Sequence, residues 1–160
     1  MDRIEHNIPI SILNAFLLQL EIGYSKYSNP YHNIQHGADV SQTCHSILKF
    51  SGLDKMLSDL EIFSLITAGL VHDFEHTGTT NNFHINSRSD LAILYNDRGV
   101  LENHHISSIF RLLKNDDFNI LQNLSSDEYK PERCKVLSLL LHCSDISHPM
   151  LDDIRGNDKA

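Results

Sequence analysis

The chain is short of positive charge, of cysteine and of long apolar runs, and each shortage narrows what it can do. Lysine and arginine number 13 against 21 aspartates and glutamates, giving a formal net charge of −8. Nucleic acid and anionic membrane surfaces both call for a positive field, so neither is an expected partner. An acidic chain that handles an anionic substrate needs local positive charge, and a bound cation supplies it. Cys44, Cys134 and Cys143 are far apart and form no CxxC pair. They read as free, buried thiols in a reducing compartment, not as a disulfide framework. No stretch reaches the roughly 18 consecutive apolar residues of a membrane span. Met1-Asp2-Arg3-Ile4-Glu5-His6 has no apolar segment behind a basic start, so a soluble cytoplasmic protein is expected. Alternating strand patterns, internal repeats and low-complexity segments are also missing.

What remains is helical periodicity. The 160 residues, 41% of them hydrophobic, suffice for one core. Pro9 suits a first helical position, Ile10, Leu13, Leu17 and Leu20 recur at helical spacing, and Gly23 marks an end before the polar turn Tyr24 to Pro30. His36, Val40, Cys44 and Ile47 form a second stripe that ends near Gly52. Ser58 with Glu61 is a capping box opening a strongly apolar helix, Ile62 to Val71. Phe74 to Asn86 reads as a loop, and Ser87 with Asp90 as the start of a short helix through Leu94. Leu101, His104, His105, Ser108 and Leu112 share another helical face. Ser125 with Glu128 is cap-like, and Pro131 opens a helix through Val136 and Cys143 that Pro149 ends. The expected class is all-α: one compact helical domain over residues 1–150 and a divergent polar tail over 151–160.

Histidine is the residue in excess, 11 against those 13 cations. It concentrates with aspartate in three places: His32 to His36, His72-Asp73-Phe74-Glu75-His76, and His142-Cys143-Ser144-Asp145. Each lies near the end of an apolar helix. His36 falls on an inward stripe, where an unpartnered imidazole is costly. His72 and Asp73 end the most apolar helix, and Asp145 ends the run Val136 to Leu141. An ionised carboxylate at such a depth needs a cation. A single inward histidine is ordinarily a satisfied core residue and an aspartate at a helix end ordinarily a cap. His36, His72, Asp73 and Asp145 taken together fit a hydrolytic metal site that keeps water positions. Asp73 could bridge to a second ion about 3.5–4 Å away. His32 precedes His36 by four residues; on spacing alone either could bind metal while the other serves as general acid.

These segments resemble the class I 3′,5′-cyclic-nucleotide phosphodiesterases. The residues that carry the resemblance are Tyr31-His32-Asn33 with His36, His72-Asp73-x-x-His76-x-x-x-x-Asn81, Leu101-Glu102-Asn103-His104-His105 and Asp145-Ile146-Ser147-His148-Pro149. A bare His-Asp pair would indicate only the wider HD superfamily of metal hydrolases. Gly78 to His84, Tyr95 to Arg98 and Gly23-Tyr24-Ser25-Lys26-Tyr27 are most similar to the calcium/calmodulin-dependent subfamily. The resemblance implies a helical phosphodiesterase bundle, incomplete at its C-terminal side. It implies zinc on His36, His72, Asp73 and Asp145, with Asp73 bridging to magnesium or manganese. His76 and Glu102 would hold the waters of those metals, and a metal-activated hydroxide would attack phosphorus. His32 would protonate the leaving oxygen, and Tyr31 and His148 would line the pocket for cAMP or cGMP. His84, His104 and His105 receive no role, beyond a structural one for His105, and Asn81 is expected to support its loop.

The resemblance also shows what this chain lacks. Lys130-Pro131-Glu132-Arg133-Cys134 replaces a longer link that carries a Thr-Asp pair near the second metal, and Leu151 to Ile154 do not match. The helices that supply the base-binding glutamine and its stacking aromatic are missing. A truncated or spliced isoform that keeps metal without the nucleotide pocket, or an incomplete gene model, is therefore the alternative to an active enzyme. Another HD-type phosphohydrolase is the third reading. No basic amphipathic segment occurs, so contact with calmodulin would run through regions absent here.

Overall fold

The computed structural model describes residues 8–125, and every regular element among them is helical. The expectations for Glu128, Pro131 to Pro149, including Asp145 and His148, and for the tail lie outside the described residues. The elements are α1 (Ile10–Ser25), α2 (Ile34–Ser51), α3 (Asp59–Val71), α4 (Asn81–Ser87), α5 (Asp90–Leu94) and α6 (Val100–Leu112). Short 3-10 turns follow α2 at Leu53–Lys55 and α6 at Asp116–Phe118.

Local chemistry sets most boundaries. Asn33 caps α2 by accepting from the His36 N–H at 3.2 Å, and Gly52 ends it at φ 72°. Ser58 and Glu61 form both bonds of the capping box on α3. Three expectations need correction. Pro9, at ψ 133°, stands outside α1 as its cap residue. The supposed loop before Asn86 contains α4, capped by Thr80. The cap of α5 is Ser89, because Ser87 is still the last residue of α4.

The inward face of α1 also differs from the expected stripe. Phe16, Leu20, Gly23 and Tyr24 are buried, whereas Ile10 and Leu17 are exposed. Apolar residues lie nearly all round this helix, so spacing alone does not fix its phase. The helix runs through Gly23, because that position answers to packing. A Cβ there would fall 2.1 Å from the Phe74 ring. Tyr24 is thus helical and buried, and not part of a polar turn.

The core joins Phe16, Leu20 and Tyr24 of α1 to Ala68 and Val71 of α3, to Phe74, and to Ile106 and Ile109 of α6. Beside it α2 lies closely against α3. A Cβ on Gly69 would sit 3.2 Å from the Ser41 backbone, and one on Gly37 would sit 2.7 Å from the Leu70 carbonyl oxygen. Ser41 Oγ donates to the Ile66 carbonyl across the same contact at 3.0 Å. These two glycines let the backbones approach, which places the start of α2 beside the end of α3. Ile47, assigned to the inward stripe of α2, is 56% exposed, and Leu48 is buried in its place.

Candidate metal centre

His36 sits in the first turn of α2, and His72 and Asp73 follow the last turn of α3. The close helix pair brings the three together. His36 Nε2 lies 3.4 Å and His72 Nε2 3.1 Å from Asp73 Oδ2. The other carboxylate oxygen, Oδ1, faces His105 Nε2 at 3.9 Å. Asp73 thereby joins two groups that could hold a metal ion: His36, His72 and Asp73 on one side, and Asp73, His76 and His105 on the other.

The ring hydrogen bonds decide which nitrogens are free. His72 Nδ1 lies 2.9 Å from the Gly69 carbonyl and His105 Nδ1 lies 2.7 Å from the Phe74 carbonyl. A carbonyl only accepts, so each Nδ1 carries a hydrogen, and each neutral ring presents a bare Nε2 to Asp73. A lone pair 3.1 Å from a carboxylate oxygen is repulsive unless a cation, proton or metal, comes between them. This donor set therefore fits a divalent ion. His76 is the reverse case. Its Nδ1 accepts the Gly78 N–H at 3.0 Å, so its neutral ring keeps hydrogen on Nε2, a donor suited to water.

Charge follows the same plan. Burial would raise Asp73, but hydrogen bonds to His36 and His72 outweigh it and hold the carboxyl far below its usual range. Burial opposes charge on His72, yet hydrogen bonding to Asp73 prevails and raises that ring. Burial, with the neighbouring His32, lowers His76 to about 4. Burial lowers His105 to about 3 despite the attraction of Asp73. Both rings are neutral at pH 7, as ligation and hydrogen bonding to water require.

The remaining candidates surround this centre. His32 precedes α2, so its place beside His36 comes from chain entry and not from a shared helical face. Its ring stacks on His76 at 3.8 Å and meets His36 edge-on at 6.1 Å. Tyr31 is half exposed and lies 4.6 Å from the His36 ring. Glu102 is no idle surface residue: Asn81 Nδ2 donates to its two oxygens at 3.1 and 3.0 Å. Asn81 Oδ1 also accepts the Leu101 N–H at 2.9 Å, so Asn81 joins α4 to the start of α6. His84 is structural, bonded to Thr77, Thr79 and Ser89.

Two contributors escaped the sequence reading. His105 belongs to the second group around Asp73, although the sequence points only to a structural role for it. The signal was present: it lies four residues after Leu101 on the buried face of α6. Tyr24 accepts the Asp73 N–H at 3.3 Å, which nothing local in the sequence announces across 49 positions.

Comparison with known proteins decides the family. Residues 31–134 match the 3′5′-cyclic nucleotide phosphodiesterases. The chain belongs to that family. Relatives include a mouse dual specificity calcium/calmodulin-dependent 3′,5′-cyclic nucleotide phosphodiesterase 1C, 48% identical over 177 positions that take in 89% of this chain and 25% of that protein. A probable 3′,5′-cyclic phosphodiesterase of Caenorhabditis elegans is 52% identical over 150 positions, 94% of this chain and 22% of that protein. The chain thus spans about a quarter of the length of these relatives. The mouse alignment contains residues that this chain lacks, whereas the nematode alignment leaves no room for them. Among solved structures, the phosphodiesterase domain of the RhoPDE fusion protein from Salpingoeca rosetta superposes with a TM-score of 0.82 at 35% identity. It covers 95% of this chain, which in turn covers 47% of that domain. The all-α phosphodiesterase fold expected from the sequence is the fold observed.

Proposed function

We propose that this chain supplies the metal-holding half of an HD-type site that hydrolyses cAMP, cGMP or both to the 5′-monophosphate. The observation that carries the reading is Asp73, which offers Oδ2 to His36 and His72 and Oδ1 to His105. A carboxylate that turns its two oxygens toward separate nitrogen sets is suited to a pair of divalent ions.

In this reading His36, His72 and Asp73, with Asp145 from beyond the described residues, hold zinc. Asp73 would also serve a second ion, magnesium or manganese. Bound there, the ions supply positive charge to phosphoryl oxygens and acidify water. The side chains do the rest. His76, whose Nδ1 takes the Gly78 N–H, would donate from Nε2 to metal-bound water, and the Glu102 carboxylate, oriented by Asn81, would accept from such water. His32, held face-on against His76, gives its proton to the leaving O3′. Tyr31, exposed beside His36, lines the nucleotide pocket together with His148. Domain limits of 1–150 with a separate tail belong to the same proposal. So does a cytoplasmic setting, in keeping with the free Cys44 thiol. Calmodulin is named in the mouse relative and would act through other parts of a longer protein.

Hydrolysis of both nucleotides by the purified chain, with zinc and magnesium and with a chelator, tests this reading. Metal-dependent turnover that His32→Ala removes while zinc stays bound is the expected result. Zinc retention without turnover or nucleotide binding would replace it with the non-catalytic, metal-keeping form.

A further inference from the structure

The buried hydroxyl of Tyr24 on α1 bonds to the backbone that carries Asp73. Its Oη donates to the Leu70 carbonyl at 2.9 Å and accepts the Asp73 N–H at 3.3 Å. It therefore spans the turn at which α3 ends and fixes the backbone of Asp73 from one point. The same oxygen lies where α2 passes: a Cβ added at Gly37, next to His36, would come within 3.0 Å of it. The ring is fixed in turn. It is 2% exposed and stands edge-on to Phe74 with centroids 6.1 Å apart. Gly23 admits that Phe74 ring, and the Phe74 carbonyl holds His105.

We propose that Tyr24 is a positioning residue of the metal centre, whose hydroxyl sets the spacing between His36 on α2 and the His72–Asp73 pair after α3. A core tyrosine with a purely structural role needs one partner for its hydroxyl and could take it anywhere. This one has two on the segment that carries Asp73, and it leaves no room for a side chain larger than glycine's beside His36. Removing the oxygen leaves the ring packing in place. It frees the Asp73 N–H and opens space between α2 and α3 where the ligands converge.

The inference rests on the metal-holding reading above, and the test separates the two. Zinc affinity of the full chain is measured by chelator competition for the wild type, Tyr24→Phe, His36→Ala and Phe16→Leu. Phe16 is buried on the same face of α1 two turns earlier, away from the hydroxyl. Tyr24→Phe should stay folded and bind zinc about 10-fold more weakly or worse, while Phe16→Leu, though less stable, binds within about 2-fold of the wild type. Wild-type affinity in Tyr24→Phe overturns the proposal. So does an equal loss in Phe16→Leu, which would show general loosening of the core. A Tyr24→Phe chain that does not fold overturns it as well, because the hydroxyl would then serve the whole core. If His36→Ala loses zinc while Tyr24→Phe keeps it, only this inference falls. If His36→Ala binds like the wild type, or the wild type binds none, the metal reading itself falls.

Discussion

His105 Nδ1 donates to the Phe74 carbonyl at 2.7 Å, and that bond turns its Nε2 toward Asp73 Oδ1. The ring is 3% exposed, so the bond is made in a dry environment. His105→Ala removes a neutral donor atom beside Asp73 and leaves a buried carbonyl unpaired. We expect a loss of about 1–3 kcal/mol in stability and a fall of 10–100-fold in metal affinity. Thermal melts and metal titration check both. A purely structural His105 would lower the melting temperature alone.

Gly37→Ala tests the close approach of the two site helices. The new Cβ would meet a backbone carbonyl, Leu70 O, at 2.7 Å, and backbone cannot swing aside as a side chain can. Alanine favours helix by about 1 kcal/mol over glycine, but overpacking costs about 1–3 kcal/mol. Net destabilisation is expected, together with weaker zinc binding, since His36 is the adjacent residue. A chain stabilised by this substitution would mean that α2 and α3 are further apart than described.

The capping box of α3 offers a contrast. Ser58→Ala removes the acceptor of the Glu61 N–H at the far end of the helix from His72. Stability should fall by about 0.5–2 kcal/mol with zinc affinity unchanged. Loss of zinc in this variant would indicate that the site tracks global stability and not local geometry.

Acid should destabilise the metal-free chain through the buried imidazoles. His76 and His105 are lowered to about 4 and about 3 in the folded state. Near pH 6.5 and below, the unfolded chain therefore binds protons that the folded chain refuses, and stability falls as pH falls toward 4. His72 is raised and acts in the opposite sense, so its contribution is lost as pH rises. The His72 window lies above pH 6.5 and does not offset those of His76, His104 and His105, all lowered, so below pH 6.5 each lowered ring adds a slope on the order of 1.4 kcal/mol per pH unit. Denaturant melts at pH 7 and pH 5 in chelator, compared between the wild type and His105→Gln, measure it. Equal stability at the two pH values would contradict the assignment of neutral rings.

Much of this centre was legible in the sequence. His72 and Asp73 were visible because two polar residues directly after so apolar a helix need partners, and His36 because it falls on the inward stripe four residues before Val40. His105 was harder to read because it sits beside His104, and either ring could have claimed the inward face. The structure buries both and turns only His105 toward Asp73. Helix α4 was missed because Asn81 to Ser87 has no apolar stripe. Its single buried side chain is His84, and the Thr80 cap with the His84 hydrogen bonds holds it in place. Gly23 was misread because a glycine near a helix end has two physical meanings. Termination is written locally, whereas room for Phe74 is written 51 residues away.

The central claim is that Asp73 and its imidazoles converge on a divalent ion, and zinc content after dialysis tests it most directly. The folded wild-type chain should retain zinc, and Asp73→Asn, which keeps the shape of the side chain and removes its charge, should release it. Equal zinc in the two proteins, or none in a folded wild type, would contradict the account.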